Sequence, residues 1–134
     1  WKPRWDGIEV MLHDPNLRIA GTIDRWGTLK PPKGKSRIKV VVDIKSGSTA
    51  PSHAIQLACY QHLISRHLQL SGAAKQHTSK PMVERYVVYI TKRGTYSVKK
   101  FEDVSDIGVF MAARTIVLWK EQHNAAKKHK TLKQ

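Results

Sequence analysis

A run of three valines followed by alternating polar and apolar residues places the strongest constraint on how this chain folds. The run reads Val40-Val41-Val42-Asp43-Ile44-Lys45-Ser46-Gly47 and predicts a buried strand that ends in a turn. Because alternate residues of a strand share a face, Asp43 and Lys45 should point the same way while Ile44 turns back into the core. The strand thus presents a carboxylate and an ammonium side by side, an arrangement that can support metal chemistry.

Two further polar elements lie on either side of this strand in the sequence. The earlier one, Gly21-Thr22-Ile23-Asp24, puts a carboxylate at the end of an apolar-alternating segment. The later one, Gln56-Leu57-Ala58-Cys59-Tyr60, lies in a predicted helix, where residues four apart share a face. In order, the chain therefore carries the patterns G-x-x-D, D-x-K and Q-x-x-x-Y.

Taken in that order, the three patterns resemble the PD-(D/E)XK nuclease superfamily, and most closely its exonuclease branch, which includes the RecB-type nuclease domains. The resemblance covers roughly residues 9 to 100. It implies a restriction-endonuclease-like core and a Mg²⁺- or Mn²⁺-dependent deoxyribonuclease that hydrolyses phosphodiester bonds. It also implies exonuclease activity in DNA replication, repair, recombination or phage DNA metabolism.

The resemblance implies which residues bind the metal ion. Hard divalent cations prefer a few carboxylates together with carbonyls and waters, so we expect Asp24, Asp43 and the backbone carbonyl of Ile44 as ligands. Family members usually place another acidic residue or a histidine on a helix before the first strand, and no such helix fits in this sequence. Glu9 is the candidate replacement and Asp6 a weaker one. Either the helix lies outside this sequence, or another chain supplies it, or Glu9 suffices.

Three more residues complete the predicted catalytic set. Lys45, on the face of Asp43, could position or deprotonate the attacking water, or stabilise the transition state. Gln56 and Tyr60 match the element that, in the resembling exonucleases, lies beside the site and helps to hold the substrate or to order the lysine and the metal. We expect them to position other groups and not to make or break bonds.

The charge of the chain indicates a polyanionic partner. Lysine and arginine number 24 against 10 acidic residues, which gives a net charge of +14. No apolar run is long enough to span a bilayer, and the lysine-rich end lacks the bulky apolar face of an interfacial helix, so nucleic acid is favoured over membrane. The expected partner is DNA, with linear or single-stranded ends as the main substrate. A cytoplasmic location in a bacterium or a phage-infected host is expected, with a mitochondrial or nuclear location as the alternative. A homo-oligomer or a larger replication or recombination assembly is also expected.

Several polar side chains near the predicted site and in basic loops are candidates for contact with DNA phosphates. They are Arg25, Lys33, Lys35, Ser46, His53, Lys92 and Arg93. A basic tail, residues 124–134, should add salt-dependent affinity.

The fold class follows from the alternation of strand and helix patterns. Residues 8–11 and 17–23 predict one hairpin, residues 38–44 a strand, residues 52–70 a helix, residues 85–90 and 95–98 a second hairpin, and residues 104–123 a final helix. Residues 30–35 predict an exposed basic loop. These elements predict an α/β protein in which one domain, residues 1–123, has a mixed central sheet flanked by helices.

A nuclease-like module that binds DNA without cutting it, as a subunit of a larger assembly, is the alternative to the nuclease. The single cysteine, Cys59, allows neither an internal disulfide nor an iron–sulfur cluster held by several thiolates. A sugar- or nucleotide-phosphate enzyme would need a glycine-rich phosphate loop, which the sequence lacks.

Overall fold

The structure, a computed structural model, describes residues 2–33, 36–73 and 83–131, of which residues 126–131 are described through their backbone only. Its elements in chain order are β1 (Lys2–Asp14), β2 (Ile19–Lys30), β3 (Ile38–Ser46), α1 (Ser52–Leu70), β4 (Glu84–Ile90), β5 (Tyr96–Phe101) and α2 (Asp106–Thr131). The strands form one sheet in the order β1-β2-β3-β4-β5. All neighbouring pairs are antiparallel except β3 and β4, which α1 connects as a parallel pair. The predicted α/β class with a mixed central sheet is confirmed.

Both predicted hairpins are present, and the strands of the first are longer than expected. Asp14 closes the β1–β2 turn, because its Oδ1 accepts the backbone N–H groups of Asn16 at 3.0 Å and Leu17 at 3.3 Å. From this turn the two strands pair back to Lys2 and Lys30. Asp24 therefore lies inside β2, whereas the sequence predicted it at the end of a strand.

The helices match the predicted positions, with one difference in length. The first runs from Ser52 to Leu70 as expected. The second begins at Asp106 and continues to Thr131, past its predicted end at residue 123. Much of the predicted basic tail, residues 124–131, is therefore helical, and residues 132–134 lie outside the described part. Neither of these helices is both long and apolar enough to cross a membrane.

The two faces of the sheet differ in what covers them. On one face, Ile23, Val41 and Val87 are fully buried against α1. Helix α2 packs on α1, so the predicted covering by helices applies to this face. The opposite face, here called the open face, has a smaller cluster of buried residues that includes Val42 and a groove of about 680 Å³.

One prediction about the site strand was wrong. Ile44 was expected to turn into the core, but it lines the open-face groove with 40 % of its surface exposed. The alternation of β3 does send Ile44 to the face opposite Asp43, as predicted. That face carries no helix in the described part of the chain, so the residue stays half in solvent.

A buried arginine ties both helices to the sheet. Arg85 of β4 is only 3 % exposed. Its guanidinium donates to the carboxylate of Asp106 at 2.8 Å and to the carbonyls of Asp103 at 2.7 Å and Ala54 at 3.1 Å. The start of α2 and the start of α1 are thus fixed to one strand by a single planar side chain.

Candidate active site

The carboxylate of Asp24 is attached to the site strand by a backbone hydrogen bond. Regular pairing of β2 with β3 extends only as far as the pair Arg25–Val42. Beyond this pair, the backbone N–H of Ile44 donates to a side chain instead of a backbone carbonyl of β2. Its acceptor is Oδ2 of Asp24, at 3.0 Å. This bond brings Asp24 to the residue that separates Asp43 from Lys45. The predicted convergence of the first two motifs is therefore present.

Asp43 and Lys45 share a face of β3, as their spacing predicted. The Lys45 ammonium lies 2.8 Å from Oδ2 of Asp43. Asp43 is 2 % exposed, and its Oδ2 receives no well-directed hydrogen bond from the part of the chain that the structure describes. Burial, together with the nearby Asp24 carboxylate, raises the pKa of Asp43 above its usual value, although Lys45 opposes the shift.

Acidic neighbours favour the protonated, charged form of Lys45. Partial burial alone would lower the pKa of Lys45. The close ion pair with Asp43, together with the charge of Asp24, outweighs burial, so the pKa of Lys45 lies above its usual value. Lys45 is therefore an ammonium in this arrangement, and it faces two carboxylates.

The Q-x-x-x-Y residues of α1 lie beside these groups. Gln56 Nε2 donates to the Tyr60 hydroxyl at 2.9 Å. Burial raises the pKa of Tyr60, and the hydroxyl lies within electrostatic reach of Asp24, Asp43 and Lys45. The ring of Tyr60 also packs on Gly21. All three sequence motifs thus contribute to one cluster.

A second pair, His53 and Tyr89, adjoins the cluster. Tyr89 lies opposite Lys45 in the β3–β4 register. Its hydroxyl is 2.9 Å from Nδ1 of His53, near the start of α1. Burial and the negative charge of Asp43 raise the pKa of Tyr89. No local pattern in the sequence marks Tyr89, because its position beside the cluster depends on the alignment of two distant strands.

The predicted extra metal ligand is not brought together with the other two. Glu9 is exposed, has a positive φ of 51°, and is absent from the β1–β2 register, which passes from the pair Ile8–Arg25 to the pair Val10–Ile23. Asp6 is exposed at the register shift of β1. Among the described residues, no three His, Cys, Asp or Glu side chains lie close enough to hold one metal ion. Asp24 and Asp43 are the carboxylates that the fold places together.

The predicted DNA-contacting residues fall into two groups. Ser46 ends β3 beside the site, and in the register it pairs with Ile90, which precedes the turn containing Lys92 and Arg93. These exposed residues and His53 lie at the end of the sheet that carries Lys45.

The remaining candidates lie elsewhere. Arg25 lines the groove on the open face and donates to the carbonyl of Asp24 at 2.7 Å. Lys33 is exposed in the β2–β3 connection, at the opposite end of β3 from Lys45. Lys35 lies outside the described residues. The positions of Arg25 and Lys33 do not place them with the predicted catalytic groups.

Neither a protein-family model nor a curated protein sequence matches the chain. Its function must therefore be inferred from the chemistry of the site.

Proposed function

We propose that this protein is a divalent-metal-dependent deoxyribonuclease, acting as an exonuclease on DNA ends. The observation that carries the proposal is the Asp24–Asp43–Lys45 cluster, in which two carboxylates and an ammonium converge around the backbone of Ile44. Together they match what phosphodiester hydrolysis requires, which is a cation site beside a positive group that can neutralise charge on phosphate.

The residues present fit a magnesium or manganese ion. Mg²⁺ is commonly held by one or two carboxylates, with waters and substrate phosphates completing the coordination. Asp43 has a buried oxygen whose close cationic neighbour is Lys45, and the adjacent Asp24 carboxylate repels it. A bound cation would offset both the burial and the repulsion. Asp24, Asp43 and the carbonyl of Ile44 would hold the metal, which would activate water and polarise the phosphate.

The other side chains have supporting roles in this proposal. Lys45 would stabilise negative charge on the phosphate oxygens as the transition state forms, because its salt bridge keeps it protonated. Gln56 would orient the Tyr60 hydroxyl beside the carboxylates. The net charge of +14 supports DNA as the substrate.

Cleavage of end-labelled linear DNA and of closed circular DNA tests the proposal. We expect loss of linear DNA with Mg²⁺ or Mn²⁺, no loss with a chelator, and no cleavage by Asp43→Asn or Lys45→Ala. Glu121→Gln and Lys99→Ala change exposed charges elsewhere and serve as matched controls. Sparing of the circles would support an exonuclease, whereas equal cutting of circles would replace it with an endonuclease.

A nuclease-like module that binds DNA without cutting it is the second candidate. It is favoured by one observation, that the described residues bring only two carboxylates together and leave Glu9 outside. This candidate predicts that the folded protein binds DNA but leaves linear DNA intact under every metal condition. In that case a partner in a larger assembly would have to supply the missing ligand.

A further inference from the structure

His53 is attached to the strand pair that carries the proposed site. It lies in the first turn of α1, seven residues after the end of β3. Its ring contacts the hydroxyl of Tyr89, the residue aligned with Lys45 across the parallel strands. Tyr89 is 4 % exposed, so the hydroxyl that contacts His53 belongs to a rigid, buried ring.

The hydrogen bonds of His53 define which ring nitrogen carries the proton. The backbone N–H of Ala50 points at Nδ1 from 3.4 Å, and a backbone N–H can only donate. Nδ1 is therefore the acceptor nitrogen, and its single lone pair is shared between the Tyr89 hydroxyl, the closer donor at 2.9 Å, and the more distant Ala50 N–H. The neutral ring must then carry its hydrogen on Nε2. Within the described residues, Nε2 has no acceptor.

The surroundings of Nε2 suit an anion. His53 is half-buried, and the first turn of α1 contains no acidic side chain that would repel a negative group. The exposed Ser46, Lys92 and Arg93 lie at the same end of the sheet. A donor with a fixed direction, at the end of the sheet that also carries Lys45, Lys92 and Arg93, matches a phosphate oxygen better than a neutral group.

We infer that His53 binds the DNA backbone directly, donating from Nε2–H to a phosphate oxygen. Tyr89 is a positioning residue, because its O–H fixes the tautomer and the orientation of the imidazole. This inference rests on the proposed function for its substrate class, DNA. The binding of DNA and the tautomer can both be measured without cleavage.

Two isosteric substitutions distinguish binding from a purely structural role. Asn at position 53 can place an acceptor where Nδ1 stands but has no donor at the place of Nε2. Gln can place an N–H donor near the place of Nε2. The affinity for a short fluorescent DNA is measured by anisotropy in the presence of chelator, so that nothing is cut.

We expect His53→Asn to weaken DNA binding about tenfold and His53→Gln to stay within about threefold of the wild type, as the loss and the retention of one phosphate hydrogen bond predict. Thermal unfolding of both variants checks that they fold. The inference would be overturned if His53→Asn bound DNA as tightly as the wild type does. It would also be overturned if His53→Asn and His53→Gln both folded and weakened DNA binding equally.

The tautomer has its own readout. The ¹⁵N chemical shifts of the His53 ring should show a protonated Nε2 and an unprotonated Nδ1 in the wild type. In Tyr89→Phe the preference should weaken and DNA affinity should fall by about threefold, because one of the two donors to Nδ1 is lost. A wild-type ring protonated at Nδ1 would overturn the inference. DNA binding with this pattern but no cleavage would instead refute the nuclease proposal and leave the role of His53 intact.

Discussion

The ring of Tyr60 lies so close to the backbone of Gly21 that a side chain cannot fit between them. A Cβ added at Gly21 would stand 2.7 Å from Cε1 and 3.3 Å from Cδ1 of Tyr60. Gly21 does not have a positive φ, so its backbone conformation does not call for glycine. The close approach of Tyr60 does. The G-x-x-D and Q-x-x-x-Y motifs are thus two sides of one packing contact, which sets how near Tyr60 comes to Asp24.

Substitution of Gly21 should therefore affect both the site and the fold. We expect Gly21→Ala to push the Tyr60 ring away, to lower nuclease activity about tenfold, and to cost about 1–3 kcal/mol in the free energy of unfolding, as overpacking does. Gly108→Ala is the control, because a Cβ there meets open space on α2 and should stabilise by up to about 1 kcal/mol. Steady-state kinetics and urea unfolding measure both effects. Wild-type kinetics for Gly21→Ala would show that the Tyr60 contact is not needed.

Metal binding should stabilise the wild type but not a variant without the Asp43 carboxylate. The pKa of Asp43 is higher in the folded protein than its ordinary value of 3.8, so ionisation of this carboxyl group lowers the free energy of unfolding. The loss of stability grows as pH rises from 3.8 through the folded pKa. Asp43→Asn should thus be at least as stable as metal-free wild type near neutral pH. Mg²⁺ at about 100 times its Kd should stabilise wild type by about 2.7 kcal/mol and leave the variant unchanged. Thermal unfolding with Mg²⁺ and with chelator checks this. Equal stabilisation of both proteins would place the metal elsewhere.

Because of Asp14, the free energy of unfolding should fall as the pH is lowered into the acid range. Its Oδ2 lies 2.8 Å from Nε2 of His62, and its Oδ1 lies 3.4 Å from Nε of Arg66. The hydrogen bond from His62, with the backbone N–H groups of the turn and the charge of Arg66, lowers the pKa of Asp14 despite its burial. The ionised group therefore stabilises the fold fully above its ordinary pKa of 3.8, and this stabilisation is lost as pH falls through the lowered value.

The test compares urea unfolding of wild type and Asp14→Asn at a series of pH values. We expect the variant to be less stable at neutral pH and the difference to shrink below pH 3.8. Asp103→Asn, which removes the carboxylate that accepts hydrogen bonds from Ser105 just before α2, is the comparison variant. A difference for Asp14→Asn that stays constant down to the acid limit would mean that its charge contributes nothing.

The thiol of Cys59 should be unreactive in the folded protein. The thiol is 5 % exposed in α1, and burial raises its pKa to about 11. Little thiolate exists near neutral pH, and reagents cannot reach it. We expect a thiol-specific reagent to modify the native protein only at the rate of local opening, and to modify urea-unfolded protein at once. Since the chain has one cysteine, the signal has a single source. Rapid labelling of native protein would contradict this packing of α1.

The parts of the fold that depend on local pattern could be predicted. The bounds of α1 follow from the proline before Ser52 and the run of apolar residues at helical spacing. The shared face of Asp43 and Lys45 follows from strand alternation alone. Ile44 shows the limit of the same rule, since alternation gives its face but not whether another element covers that face.

What could not be predicted depends on register between segments distant in sequence. The bond from the Ile44 N–H to Asp24 replaces a ladder bond across 20 residues, and no local signal marks it. The alignment of Tyr89 with Lys45 is set by the register in which β4 pairs with β3. Both contacts determine the geometry of the site, so the motifs predicted which groups meet but not what holds them.

The buried Arg85 should be the most sensitive charged position for stability. Its guanidinium bonds Asp106, Asp103 and Ala54 at once, and a lysine ammonium cannot reproduce this planar set of donors. We expect Arg85→Lys to cost about 3 kcal/mol in the free energy of unfolding, because it leaves buried groups without partners. Arg37→Lys is the matched control, since Arg37 also bonds Thr28 and the carbonyl of Lys2 but on an exposed surface.

That exposed substitution should cost less than about 1 kcal/mol, because water replaces the lost bonds. Urea unfolding of the two variants at the same pH gives the comparison. If the two substitutions cost the same, Arg85 does not hold the helices to the sheet, and the starts of α1 and α2 must be fixed by apolar packing alone. If Arg85→Lys costs more and also lowers DNA cleavage, the position of α1, and with it Gln56 and Tyr60, depends on this arginine.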